Sequence, residues 1–217
     1  MYHPLLLGHR GVCGSSSVRE NTPAAFERCL SAGCDGFEFD VRMTADGIPI
    51  VCHDARFKSR AIAQSNSTVL PELPLLEDVL RDYAAAFLDI EIKVRGAGSA
   101  VLSALNHHPM KKGCVISSFL PAVLQELNQL DPAIPLGLIC DKRNQMARWP
   151  DLPVEYLIPR YELLTLTALE ELHHYGKKVI VWTVNQPATM RRLASWKVDG
   201  IISDRPGVLA RTVFPPQ

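Results

Sequence analysis

No CxxC pair occurs among the six cysteines, Cys13, Cys29, Cys34, Cys52, Cys114 and Cys140, so a structural zinc of the ribbon type is excluded. Several of these cysteines lie in apolar stretches, where a reduced, packed thiol is the ordinary outcome. Basic runs are missing too. Lys+Arg and Asp+Glu are both 23, a formal net charge of zero, so no surface of one sign is available to track a nucleic acid or an anionic membrane. Any anion contact has to be local. No apolar run approaches the ~20 residues of a membrane span, and Met1 is followed too soon by the strand-like Leu5-Leu6-Leu7 for a signal peptide. Together these absences predict a reduced, cytoplasmic protein with no nucleic-acid partner and no stable membrane insertion. Oligomeric state leaves no mark in the sequence.

What is present is enough apolar material for one sizeable core: 217 residues, 47% hydrophobic, read as a single domain over 1–217. The most informative stretch runs from Gly36 to Asp54, GFEFDVRMTADGIPIVCHD. Phe37, Phe39 and Val41 alternate with Glu38, Asp40 and Arg42, so a strand sends two acids to the face opposite the apolar residues. Asp46-Gly47 predicts a two-residue hairpin turn. That turn pairs Ala45 with Ile48 and sets His53 opposite Asp40, with Cα atoms roughly 5 Å apart. Two carboxylates on one face repel unless a cation lies between them, and hard oxygen donors point to Mg²⁺, Ca²⁺ or Mn²⁺ rather than Zn²⁺. The competing reading is a solvated acidic strand face.

Taken in order, the chain predicts a strand at Pro4–Gly8, delivering His9-Arg10-Gly11, and a helix over Thr22–Ala32 capped by Asn21 or Thr22 and stopped by Gly33. Residues 54–71 carry little pattern and are expected as exposed, mobile chain. A helix over Leu75–Tyr83 precedes the alternating strand Ala86–Val94, which places Asp89, Glu91 and Lys93 on one face. Further strands are expected at Cys114–Ser118, Ile134–Cys140, Tyr156–Pro159, Lys178–Asn185 and Gly200–Ser203, with helices between them. Eight strands alternating with helical segments predict an α/β fold, a (β/α)₈ TIM barrel; an open doubly wound sheet is the alternative. In a barrel, function gathers at the C-terminal strand ends, where His9, Glu38, Asp40, Glu91, Ser117, Ser118, Trp182, Asn185 and Asp204 all fall. His3, His107, His108, His173 and His174 read as surface residues.

The ordered set HRG, ENTPAAF, GFEFDVRMTADGIPIVCHD, LDIEIK, VISSF, WTVN and DGIISDRP resembles the glycerophosphodiester phosphodiesterase family over nearly the whole chain. The resemblance implies a (β/α)₈ barrel, a divalent metal, usually Mg²⁺ or Ca²⁺, and hydrolysis of glycerophosphodiesters to glycerol 3-phosphate and an alcohol. It implies further that Glu38, Asp40 and Glu91 hold the metal, that His9 and His53 are the acid/base pair acting through a cyclic phosphate, and that Arg10 and Lys93 bind the phosphate of a small-molecule phosphodiester. Phe119 and Trp182 are expected to wall the substrate pocket. Glu20 and Asn21 are either part of that site or simply a helix start, and Lys93 either binds substrate or only pairs with Glu91.

The family usually carries a longer insertion between the His53-Asp54 pair and the next helix. Here about twenty residues intervene, so the resemblance implies a shortened or missing cap. A lysophospholipase D-like activity on bulkier substrates is therefore the alternative function, and a phosphoester-binding barrel without turnover is the alternative of another class.

Overall fold

The structure is a computed structural model and describes residues 2–15 and 17–215. Eight strands run parallel around a closed barrel: β1 (Leu5–Gly8), β2 (Gly36–Met43), β3 (Phe87–Ile92), β4 (Cys114–Ser118), β5 (Leu136–Cys140), β6 (Tyr156–Pro159), β7 (Lys178–Val181) and β8 (Gly200–Ser203). Each pairs with its neighbour in sequence, and β1 closes the ring by pairing with both β2 and β8. The open-sheet alternative is therefore excluded. Between the strands lie α1 (Pro23–Ser31), α2 (Leu76–Asp82), α3 (Gly98–His107), α4 (Pro121–Leu130), α5 (Arg143–Met146), α6 (Leu166–His174), α7 (Pro187–Trp196) and α8 (Pro206–Val213). None of these is long and apolar enough to cross a membrane.

Strand alternation divides the core in two. Phe37, Phe39 and Val41 of β2 join the large cluster between sheet and helices, and Phe37 stacks on Phe26 of α1 at 4.1 Å between ring centroids. The other residues point into the barrel, where Leu7, Val115, Ile158, Ile180 and Ile202 fill one part of the interior. On β2 and β3 that same inward face carries Glu38, Asp40, Asp89 and Glu91, all buried. The barrel is thus apolar on one side and acidic on the other, and the expectation of a solvated acidic face does not hold.

Three expectations need correction. The hairpin after β2 is in a different register: Val41 faces Val51 and Met43 faces Pro49, while the amide of Cys52 donates to the Asp40 carbonyl. His53 is therefore one residue beyond the partner of Asp40. The cause is a three-residue loop, with Gly47 at φ +76° and the Thr44 hydroxyl bonding both backbone groups of Ile48. A left-handed glycine in third place makes the bulged turn in preference to the two-residue one.

The second correction concerns residues 54–71, which are packed. Arg56–Phe57 pairs with Arg60–Ala61, two 3₁₀ turns follow, and Ile62, Leu70 and Leu73 form a small core with Ile50 and Cys52. Leu70→Ala is expected to destabilise the protein by about 2–5 kcal/mol, measured by urea unfolding. A change below about 0.5 kcal/mol would mean that this segment does not pack. Thirdly, β7 ends at Val181 rather than Asn185, and Trp182 makes only an isolated bridge to Arg160.

Candidate active site

The C-terminal ends of β1, β2, β3 and β8 converge on a cavity of about 170 Å³, lined by His9, Arg10, Glu38, His53, Asp89, Glu91 and Lys93, with Phe119, Ile139, Ile158, Trp182 and Ile202 as its apolar wall. Asp40 lies at its back, 0% exposed. His9, Arg10, Glu38, His53, Glu91, Lys93, Phe119 and Trp182 thus line one cavity, whereas Asn185 and Asp204 line a neighbouring groove. Phe119 and Trp182 meet edge to face at 5.6 Å, and the indole N–H donates to the Ile158 carbonyl.

Parallel pairing sets Asp40 beside Glu91 on adjacent strands. One oxygen each from Glu38, Asp40 and Glu91 lies within 4.8 Å of the others. Burial pushes the Glu38 carboxyl well above the usual carboxylate range, and the charges of Asp40, Glu91 and Asp89 push it further. Burial acts on Asp40 in the same direction, but Lys93, Arg10 and the Asn21 amide outweigh it and hold Asp40 below its usual range. Burial raises Glu91 in spite of Lys93, and it pushes Asp89 up to about 7 although the Ser117 hydroxyl donates to it at 2.5 Å.

Glu38 Oε1 and Asp40 Oδ1 are buried without a hydrogen-bond partner. The Lys93 ammonium stands 3.1 Å from Asp40 Oδ1, so that oxygen has a counter-charge but no bond directed at it. Orphaned, charged oxygens of this kind are costly unless something binds them. A donor set made only of carboxylate oxygens fits a hard divalent cation such as Mg²⁺, Ca²⁺ or Mn²⁺.

The two histidines differ in setting. His9 Nδ1 lies 2.6 Å from Asp204 Oδ1, and because a carboxylate only accepts, a proton is on Nδ1, which leaves Nε2 as the nitrogen turned to the cavity. Nε2 is 3.9 Å from Glu38 Oε2. Asp204 is fixed in turn by the Asn185 amide, which donates to Oδ2 at 2.6 Å, while the Asp204 backbone N–H donates to Asn185 Oδ1. These bonds, with that from His9, hold Asp204 below the usual range against its burial. His53 is more exposed and donates through Nδ1 to Asp54 at 2.8 Å, and its carbonyl accepts from Arg42 Nε.

Glu20 and Asn21, site residues or a helix start by sequence, both bond charged side chains at the cavity. Arg10 donates to Glu20 at 2.6 Å, and Asn21, itself buried, donates from Nδ2 to Asp40 Oδ2 at 2.7 Å. Both Arg10 and Asn21 hold left-handed backbone, φ +50° and +56°, a conformation that costs a non-glycine residue about 1–2 kcal/mol. They are held there because the Arg10 amide donates to Glu38 Oε2 and the Asn21 amide to the Arg10 carbonyl. Lys93 bonds Glu91 at 2.7 Å and also faces the cavity. The roles of Asn185 and Asp204 were not readable beyond their place at strand ends.

Among known proteins, the profile of the Glycerophosphoryl diester phosphodiesterase family matches residues 9–77 and 63–208. A glycerophosphodiester phosphodiesterase from Caldanaerobacter subterraneus subsp. tengcongensis is 27% identical over 243 residues, covering 96% of this chain and 97% of that protein. The crystal structure of a glycerophosphodiester phosphodiesterase from Thermotoga maritima superposes with a TM-score of 0.83 at 27% identity, over 97% of this chain and 99% of that one. An Oleispira antarctica phosphodiesterase, solved in complex with the product sn-glycerol-3-phosphate, has the same fold, with a TM-score of 0.85 at 23% identity over 97% and 96% of the two chains.

Proposed function

Because the chain belongs to the glycerophosphoryl diester phosphodiesterase family, we propose that it hydrolyses glycerophosphodiesters to glycerol 3-phosphate and an alcohol by acid/base catalysis from His9 and His53. The observation that carries this reading is the gathering of two histidines, two cations and a carboxylate trio with orphaned oxygens around one cavity. Glu38, Asp40 and Glu91 would hold the divalent metal. When bound, it supplies positive charge that offsets the repulsion between the phosphodiester anion and its attacker.

Arg10 and Lys93 bring the phosphate to the cavity, and their ion pairs with Glu20, Asp40 and Glu91 fix where their charge sits. His9 takes the proton of the glycerol 2-hydroxyl on Nε2, the nitrogen that Asp204 leaves free. The hydroxyl oxygen attacks phosphorus, the bond to the departing alcohol breaks, and protonated His53 supplies that alcohol with its proton. A cyclic phosphate results. Water then opens the ring with the two histidines in reversed roles, which restores their starting protonation.

Following glycerophosphocholine turnover by ³¹P NMR tests this route. A transient cyclic-phosphate signal is expected ahead of glycerol 3-phosphate, and an analogue lacking the 2-hydroxyl is expected to be inert. Equal turnover of that analogue would show that water attacks directly. Substrate range extends to lysophospholipids if the compact segment after His53 leaves the mouth open, which the same assay on lysophosphatidylcholine measures.

A further inference from the structure

We infer that His9 Nδ1, Cys13 Sγ and the Asp204 carboxylate form a second, softer metal site that takes Zn²⁺ and, when filled, silences the base function of His9. One donor atom from each of His9, Cys13 and Asp204 lies within 4.8 Å of the others, and Nδ1 is the ring nitrogen on the Asp204 side, 2.6 Å from Oδ1. With metal–ligand distances of ~2.0–2.3 Å for zinc, one ion spans such a triangle with small adjustments. The donors come from the ends of β1 and β8 and from the loop after β1, which are neighbours because β1 closes the barrel on β8, Gly8 beside Ser203.

His9 lines the substrate cavity, but the other two donors open elsewhere. Cys13 and Asp204 line a separate groove of about 590 Å³, and Cys13 is half-buried, whereas Cys29, Cys34, Cys52 and Cys140 are buried. The site is also chemically distinct from the carboxylate trio. A nitrogen, sulfur and oxygen set with one open position suits zinc, while three carboxylates suit Mg²⁺ or Ca²⁺, so a large excess of Mg²⁺ leaves the softer site available. Without a metal the thiol is a poor nucleophile, since burial and Glu20 push it up to about 12.

The consequence follows from the two faces of one ring. Nδ1 looks toward Asp204, and Nε2 toward Glu38 and the cavity. Zinc on Nδ1 displaces the proton there and the thiol proton. The imidazole is restored to neutrality by a proton on Nε2, so one proton is released per ion. His9 then presents an N–H to the cavity where the base needs a lone pair. This part of the inference rests on the acid/base reading of His9 given above.

The test uses the intact protein saturated with Mg²⁺, with Co²⁺ as a spectroscopic stand-in for Zn²⁺. Wild type is expected to bind one Co²⁺ with a thiolate charge-transfer band, and Cys13→Ser to lose the band while keeping basal turnover. Micromolar Zn²⁺ is expected to inhibit wild type and to require at least about 10-fold more to inhibit Cys13→Ser. A missing band, or a band that survives in Cys13→Ser, overturns the site. A Cys13-dependent band with no inhibition overturns the silencing of His9. Turnover that persists in His9→Ala contradicts the acid/base reading itself and leaves the spectroscopic result standing.

Discussion

His9→Ala is expected to lower turnover of a glycerophosphodiester by about 10²–10⁴-fold, the usual worth of a positioned general base, with binding of the divalent metal retained. His9 has one nitrogen held by Asp204 and the other turned to the cavity, and alanine offers no proton acceptor at that position. Asp204→Asn is the informative companion. Asn185 already donates an amide to Asp204 Oδ2, and an asparagine at 204 offers one acceptor and one donor where two acceptors are required. His9 loses its orienting partner without leaving the site. A smaller loss than in His9→Ala is expected, together with a shift of the acidic limb of the pH–rate profile. An unshifted profile would mean that Asp204 serves structure only. Should His9→Ala retain most of its turnover, the acid/base assignment would be wrong.

Glu38→Gln carries the second large effect, and it acts in opposite directions on function and stability. Glu38 is 4% exposed with one orphaned oxygen, and burial beside three other acids raises its pKa. A carboxyl whose folded pKa lies above its unfolded value binds more protons in the folded state. Its contribution is therefore favourable at low pH and is lost as pH rises through the folded value. The metal-free protein is accordingly expected to lose stability on passing from the carboxylate range toward neutral pH, with Asp89, near 7, adding in the same sense. Glutamine removes the charge, keeps an acceptor for the Arg10 amide and turns an amide donor toward the other acids. Metal-free Glu38→Gln is expected to be more stable than wild type by about 1–4 kcal/mol at neutral pH, with a flatter pH dependence, and to gain nothing from added Mg²⁺. Thermal melts in EDTA and in Mg²⁺ across pH read both effects. A metal-free variant less stable than wild type would show that the carboxylate is satisfied without an ion.

How far the sequence led depends on how local each feature is. The barrel was legible because each strand is a short apolar or alternating run between turn residues, and four of the eight (Cys114–Ser118, Tyr156–Pro159, Gly200–Ser203 and, within one residue, Pro4–Gly8) match the expected bounds at both ends. The acidic face was legible for the same reason: Glu38, Asp40 and Glu91 alternate with Phe, Val and Ile in single strands. Hairpin register was not, because Asp46-Gly47 suits both a two-residue turn and a bulged three-residue one, and the Thr44 hydroxyl that selects the latter is an ordinary polar residue in sequence. The segment after His53 was missed because Ile62, Leu70 and Leu73 are separated by the polar run Ser65-Asn66-Ser67-Thr68 and by Pro71, so no continuous helix or strand pattern joins them although they pack together. Least accessible were the long-range clamps. Asp204 on His9 spans 195 positions, and only closure of the ring brings them together, while Asn21 on Asp40 spans 19 and depends on β1 lying beside β2.

The central claim is that the carboxylate trio and the histidines form one metal-dependent phosphodiesterase site. It is tested most directly by measuring glycerol 3-phosphate released from glycerophosphocholine and glycerophosphoethanolamine with Mg²⁺, Ca²⁺, Mn²⁺ or EDTA, in wild type and Glu38→Gln side by side. Release that needs a divalent cation in wild type and is lost in the variant is the predicted result. Release that continues undiminished in EDTA, or in Glu38→Gln, would contradict the account.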